Sequence, residues 1–130
     1  MAGCDDNIEL AFRRGVALCR SGAYFAAHEA FEAAWRSAEG GERDFFQGLV
    51  HAVVFAYQAG RGRPVGAERQ REKALARLAG YLPAHRGLEL EPLLAALGAG
   101  ETDLREHLVE SDPQPPVAVE EEQQTEQDER

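Results

Sequence analysis

Two cysteines in 130 residues, Cys4 and Cys19, are too few for a disulfide framework and do not form the CxxC pair of a metal or redox centre. Their scarcity favours a reducing compartment, so a cytoplasmic protein is expected. Long apolar runs are missing as well. The densest, Leu49 to Tyr57, is short and interrupted by His51, and the opening MAGCDDN lacks the basic-then-apolar order of a signal peptide. No membrane association is expected. Basic residues are in deficit, 14 Lys+Arg against 23 Asp+Glu for a formal charge of -9, which argues against a generally basic nucleic-acid binder. Phosphate-cradling glycine loops, the GxSxG nucleophile turn and a Cys/His nucleophile pair are all absent, so nucleotide-dependent and covalent-nucleophile enzymes gain no support. Finally, no Val/Ile/Thr alternation marks a strand, and the expectation is an all-α chain without a sheet.

What is present reads as helix after helix, at a length suited to one domain with a real core. Behind Asp5 and Asp6, Asn7 is a plausible N-cap. The apolar residues Ile8, Ala11, Phe12, Val16, Leu18 and Cys19 follow on one arc, and Ser21-Gly22 supplies the stop. A second helix is expected from Tyr24 to Ala38, ended by Gly40-Gly41. The third, opening near Asp44 and closing before Gly60, is apolar almost all round and belongs at the centre of a bundle. After the GRGRP loop, Pro64 suits the first turn of a fourth helix reaching about Leu82, with Ala67, Ala74, Leu75, Leu78, Tyr81 and Leu82 on its buried stripe. Short helices near Glu91–Leu97 and Thr102–Val109 complete a single bundle of five or six helices over residues 1–110.

Residues 111–130 combine prolines, glutamines and a net charge of -6, leaving only -3 on residues 1–110. With almost nothing to bury, this acidic tail is expected to be disordered. Gly15, Gly22, Tyr24, Ala27, Phe31 and Ala34 have spacings similar to a tetratricopeptide repeat. No second copy follows at the required period of about 34 residues. Ordinary packing of a helical hairpin explains them.

The most informative run is HEAFEAAW. At about 100° per residue, with His28 at zero, Trp35 falls near -20°, Phe31 near -60°, Glu32 near +40° and Glu29 near +100°. His28 and Glu32 thus flank the core one turn apart, while Glu29 points further outward. On the third helix Gln47, His51, Val54 and Gln58 lie within about 60° of arc, drawing a polar line on a greasy helix. Buried polar groups need partners, so the two lines are expected to face each other.

His28-Glu29-x-x-Glu32-x-x-Trp35, followed by Phe46-Gln47-Gly48-Leu49-Val50, then Gly66-Ala67 and the Leu75/Leu78 helix, resembles the small prokaryotic family catalogued as domain of unknown function number 309, over about Phe12 to Leu82. The resemblance implies an all-helical fold built around the HExxExxW and QGL helices, with no established activity. The sequence departs from the usual pattern at Gln70 and Arg71, where leucine-like residues are common, and at His51, where an amide is common.

Three readings of the polar residues compete. In the first, His28, Glu32 and His51 hold a divalent metal, with Glu29 as base or fourth ligand, for a metal-dependent hydrolase. Against it, HExxE is neither the HExxH of zincins nor the Glu-x-x-His of di-iron bundles. In the second, Trp35 and Phe31 wall a pocket where His28 and Gln47 orient a small molecule. In the third and commonest, His28, Glu32, Gln47 and Arg71 satisfy one another inside the bundle. Arg71 falls mid-arc on the fourth helix, so a carboxylate should meet it, with Glu32 or Glu29 the expected partner. Residues 61–77 carry a local charge of +4, read as a solvated face because no aromatic residues interleave with the arginines. His85 and His107 are expected to be exposed. The overall expectation is a binding or interaction module rather than an enzyme. Its partner would be a small molecule or another protein, and self-association is left open.

Overall fold

The computed structural model describes residues 2–111. Helices α1 (Ala2–Arg20), α2 (Tyr24–Ser37), α3 (Gly41–Gly60) and α4 (Pro64–Leu78) each pack on their neighbour in sequence. A 3-10 turn (Ala79–Tyr81), strands β1 (Ala84–His85) and β2 (Leu88–Glu89), helix α5 (Glu91–Gly98) and strand β3 (Val109–Glu110) follow. Among the described residues the fold is therefore mostly helical, with five α-helices, and the expectation of no sheet is corrected: three two-residue strands form an antiparallel sheet in the order β1-β2-β3. Ladders this short leave no alternation for a sequence to display. The disordered tail expected over 111–130 lies, apart from Ser111, outside the described residues.

Helix ends follow local chemistry. Gly22 and Gly62 take positive φ (86° and 72°), where a Cβ is disfavoured. Around them the Ala23 and Arg63 N–H groups reach back to the carbonyls of Leu18 and Gln58, while those of Gly22 and Gly62 reach Cys19 and Ala59. This is the Schellman pattern; it stops α1 at the expected Ser21-Gly22, whereas α3 runs through Gly60 instead of closing before it and is stopped by Gly62. Other boundaries differ. Asn7 lies inside α1 rather than capping it, α3 opens at Gly41, and α4 stops at Leu78, leaving Leu82 exposed. The expected helix over Thr102–Val109 is not formed. That stretch runs as a loop, drops Leu104 and Leu108 into the core and pairs β3 with β2 in the register Leu88↔Glu110 and Glu89↔Val109.

One continuous core joins Phe12, Phe31, Phe45, Phe46, Leu49 and Val53 to Leu78, Leu90, Leu93 and Leu97. At Gly48, α3 comes into close contact with α4. A Cβ there would stand 2.7 Å from Leu78 Cγ and Cδ2 and 3.3 Å from Arg77 Cβ. The QGL glycine thus lets the two helices meet. Between the strands, Arg86 and Gly87 both adopt positive φ (52° and 79°), as a primed two-residue hairpin turn requires.

Candidate functional site

The HExxExxW helix divides its conspicuous residues between two environments. Phe31 is fully buried in the core and lines neither of the two cavities beside this helix. Trp35 is half-buried against the core, and its ring carries the Arg43 guanidinium 4.1 Å from the centroid. Glu29 is exposed. His28 Nε2 lies 3.5 Å from Glu32 Oε2, and Glu32 reaches Arg36 at 3.6 Å, so this carboxylate serves its own helix.

His51 belongs to a separate cluster. It is buried (9% exposed), with Nδ1 2.7 Å from Gln70 Oε1 on α4 and Nε2 3.4 Å from Gln47 Nε2. Because an amide oxygen can only accept, Nδ1 carries the proton and Nε2 accepts from Gln47. Burial pulls the His51 pKa down. The Gln70 bond opposes this and the Arg77 and Lys73 charges add to it, leaving the ring below its ordinary value. His51 and Gln70 therefore meet in one hydrogen bond between α3 and α4.

The expected face-to-face polar lines are thus corrected. Among the described residues no hydrogen bond or ion pair joins His28, Glu29 or Glu32 to Gln47, His51 or Arg71. Nor is any group of three His, Cys, Asp or Glu side chains among them arranged to hold a metal ion, so His28, Glu32 and His51 do not form a ligand set. The reason lies in facing. Gln47 and His51 look toward Gln70 of α4, whereas His28 meets only the other half of the same line, Val54 and Gln58, at the far end of α3. Arg71 is likewise satisfied elsewhere. It pairs with Glu68 of its own helix (2.5 and 2.9 Å) and donates to the Leu97 and Gly98 carbonyls (3.0 and 3.4 Å), stitching α4 to the end of α5.

His28 instead lines a cavity of about 180 Å³ with Phe25, Val54, Tyr57 and Gln58. Phe25 and Tyr57 also line a wider groove of about 870 Å³, which runs from Ser21-Gly22 past Tyr24 to Gly60-Arg61 and is bordered by Thr102, Asp103 and Arg105. The two spaces share that aromatic pair as a common wall, whose centroids stand 5.4 Å apart; His28 lies 5.8 Å from Phe25. The His28 Nδ1 atom is shut off from solvent and has no hydrogen-bond partner. Phe25, 52% exposed, is a large apolar ring left in water. At the far end the Arg61 guanidinium donates to the Tyr57 hydroxyl (3.3 Å) and sits 5.5 Å over its ring.

The opposite rim is fixed. Tyr24 accepts from the Leu104 N–H (2.9 Å) and donates to Asp103 (3.3 Å). Burial pushes the Tyr24 pKa up, and the Asp103 charge adds to this against the opposing Leu104 bond. Arg105, bonded to Asp103 by its side chain and its backbone N–H, holds that carboxyl well below the usual range. Cys19 offers no nucleophile, since burial first and the Asp103 charge second push its thiol up to about 12.

Sequence reading missed Phe25, Tyr57 and Asp103 as site residues, and placed Arg61 only in the basic stretch 61–77. One signal was available, because Phe25 falls about 60° from His28, on the side of Glu32 and Glu29 and away from the apolar arc. With the geometry in place, comparison with known families is direct. Residues 12–70 match the family described as Domain of unknown function (DUF309). The resemblance read from the motifs stands, over a span ending at Gln70 rather than Leu82. No curated protein matches the chain. The DUF309 segment contains α1 from Phe12, all of α2 and α3 and the first half of α4, and so both helices that supply the cavity around His28. Asp103 and Arg105, on the outer rim, lie beyond it.

Proposed function

We propose that this protein is a small helical binding module that takes a flat, apolar group with an acidic end into the groove between α2 and α3. The observation that carries the reading is the open Phe25–Tyr57 pair beside His28, an imidazole with one nitrogen unspent. Ring faces supply apolar and stacking contact. Arg61 supplies a cation at one end, and a modest turn of the His28 ring would bring Nδ1 to the occupant. An orphaned buried polar atom costs about 1–3 kcal/mol, and sites kept for function commonly carry such a cost. The buried, unreactive Cys19 thiol fits a reducing compartment such as the cytoplasm.

Indole-3-acetate is a suitable probe, followed by amide chemical shifts of the 15N-labelled protein. Shifts are expected at Phe25, His28, Tyr57 and Arg61. His28→Phe should weaken that binding yet stabilise the fold by about 1 kcal/mol, because it removes the unsatisfied nitrogen and gives up only the partly exposed 3.5 Å contact with Glu32. Unmoved groove resonances with this probe, or binding undiminished in His28→Phe, would overturn the reading.

A further inference from the structure

We infer that the groove between α2 and α3 is a docking surface for the protein's own Pro-rich acidic segment, residues 113–122 (PQPPVAVEEE), bound in cis. This rests on the groove reading above and names the occupant. Three observations converge on it. The first is chemistry: Pro113, Pro115 and Pro116 favour an extended left-handed helix of about 3.1 Å per residue, which aromatic-lined grooves recognise by stacking without ordering a flexible chain. Tyr24, Phe25 and Tyr57 offer such a lining.

The second is charge. At the Gly60 end of the groove Arg61 and Arg63 are both exposed, and among the described residues neither has a carboxylate within ion-pair distance. Glu120, Glu121 and Glu122 follow the prolines by only a few residues, so prolines seated on Phe25 and Tyr57 bring these carboxylates to that corner. The third is reach. The last described strand ends with Glu110 held 3.3 Å from Arg20, the residue next to groove-lining Ser21. From there 20 further residues can span roughly 60 Å when extended, about twice the length of α3. Tethering gives such a segment an effective concentration near the millimolar range, so weak individual contacts suffice. The consequence is competition: an outside ligand has to displace the segment.

The test compares the full-length protein with a full-length variant carrying Pro115→Ser, Pro116→Ser, Glu120→Gln, Glu121→Gln and Glu122→Gln, both 15N-labelled. Amides of Phe25, Tyr57, Gly60 and Arg61 are expected to differ between the two. Those of the unaltered protein should move toward the variant's positions as NaCl rises from about 50 to about 500 mM, and dilution should leave them unchanged. Indole-3-acetate should bind the variant roughly threefold or more tightly, since the competitor is gone. Superimposable groove resonances in the two chains would overturn the inference. So would differences that vanish on dilution, which would assign the groove to the segment of a second copy. If the chains superimpose but both bind indole-3-acetate at the groove, only the docked segment is lost; if neither binds, the groove reading falls with it.

Discussion

His51 shows how a histidine that reads as a metal ligand is settled as a bonding element. Its Nδ1–H is donated to Gln70 and its Nε2 accepts from Gln47, so the neutral ring is fully used and a second proton would have no acceptor. Arg77 and Lys73 would repel that proton. The native pKa lies below the unfolded value of about 6.5, so the unfolded chain binds more protons between the two. His51 therefore contributes stability that is complete above about pH 6.5 and is lost as pH falls through its native value. Denaturant midpoints measured across that interval should decline with acidity. His51→Gln, which keeps an acceptor for Gln47 and a donor for Gln70 but cannot titrate, should flatten the decline. An unchanged slope in that variant would exclude His51 as its source.

At the scale of elements, the contact between α3 and α4 turns on Gly48. Replacing it with Ala gains about 1 kcal/mol of helix propensity. Against this, the new methyl meets Leu78, which is fully buried and flanked by Arg77 Cβ, and overpacking of that kind costs about 1–3 kcal/mol. The clash should win, and Gly48→Ala is expected to lower the urea midpoint; an equal or higher midpoint would mean that Leu78 can move aside. The same scale shows what the sequence could tell. Helices α1 to α4 were legible because each is long enough for its apolar arc to repeat and because Ser21-Gly22, Gly40-Gly41 and the GRGRP loop separate them. The sheet was illegible, since two residues per strand carry no period, and Val109 and Glu110 become a strand only by finding β2. Which way each polar line faces was equally hidden. A spacing fixes which residues share a stripe on one helix, but the rotation of that helix against its neighbours is set by packing, and it sent His51 toward Gln70 and His28 toward Tyr57. Arg71 was right in needing a partner, yet a neighbour one turn away and the carbonyl end of α5 were nearer than any carboxylate of α2.

Across the whole molecule, one cation binds the hairpin to the helices. Arg86 donates to Glu42 on α3 (2.7 Å) and to Glu9 on α1 (2.6 Å) and lies 5.2 Å over the Phe46 ring. His85, expected in solvent, is partly buried against Phe45 with centroids 4.5 Å apart and meets Glu42 at 2.8 Å. Burial pushes the Glu42 pKa up, but the bonds from Arg86 and His85 outweigh it and hold the carboxylate below its ordinary value. Its contribution is thus complete above about pH 4.5 and lost as pH falls through the native value. Arg86→Met should destabilise the protein by roughly 1–2 kcal/mol, the worth of charge-assisted bonds discounted for partial exposure. It should also make the loss of stability in acid shallower; a thermal midpoint matching the unaltered protein would show that the hairpin is held by its leucines alone.

Those leucines set a boundary condition for anyone preparing shorter forms of this protein. Leu88, Leu90, Leu93, Leu97 and Leu104 are all essentially inaccessible, and every one comes after residue 70. A recombinant fragment trimmed to residues 12–70 would present the seats of those side chains as bare, sticky surface. Expression trials that stop there should yield aggregates, whereas fragments extended through Ser111 retain the floor on which the first three helices stand.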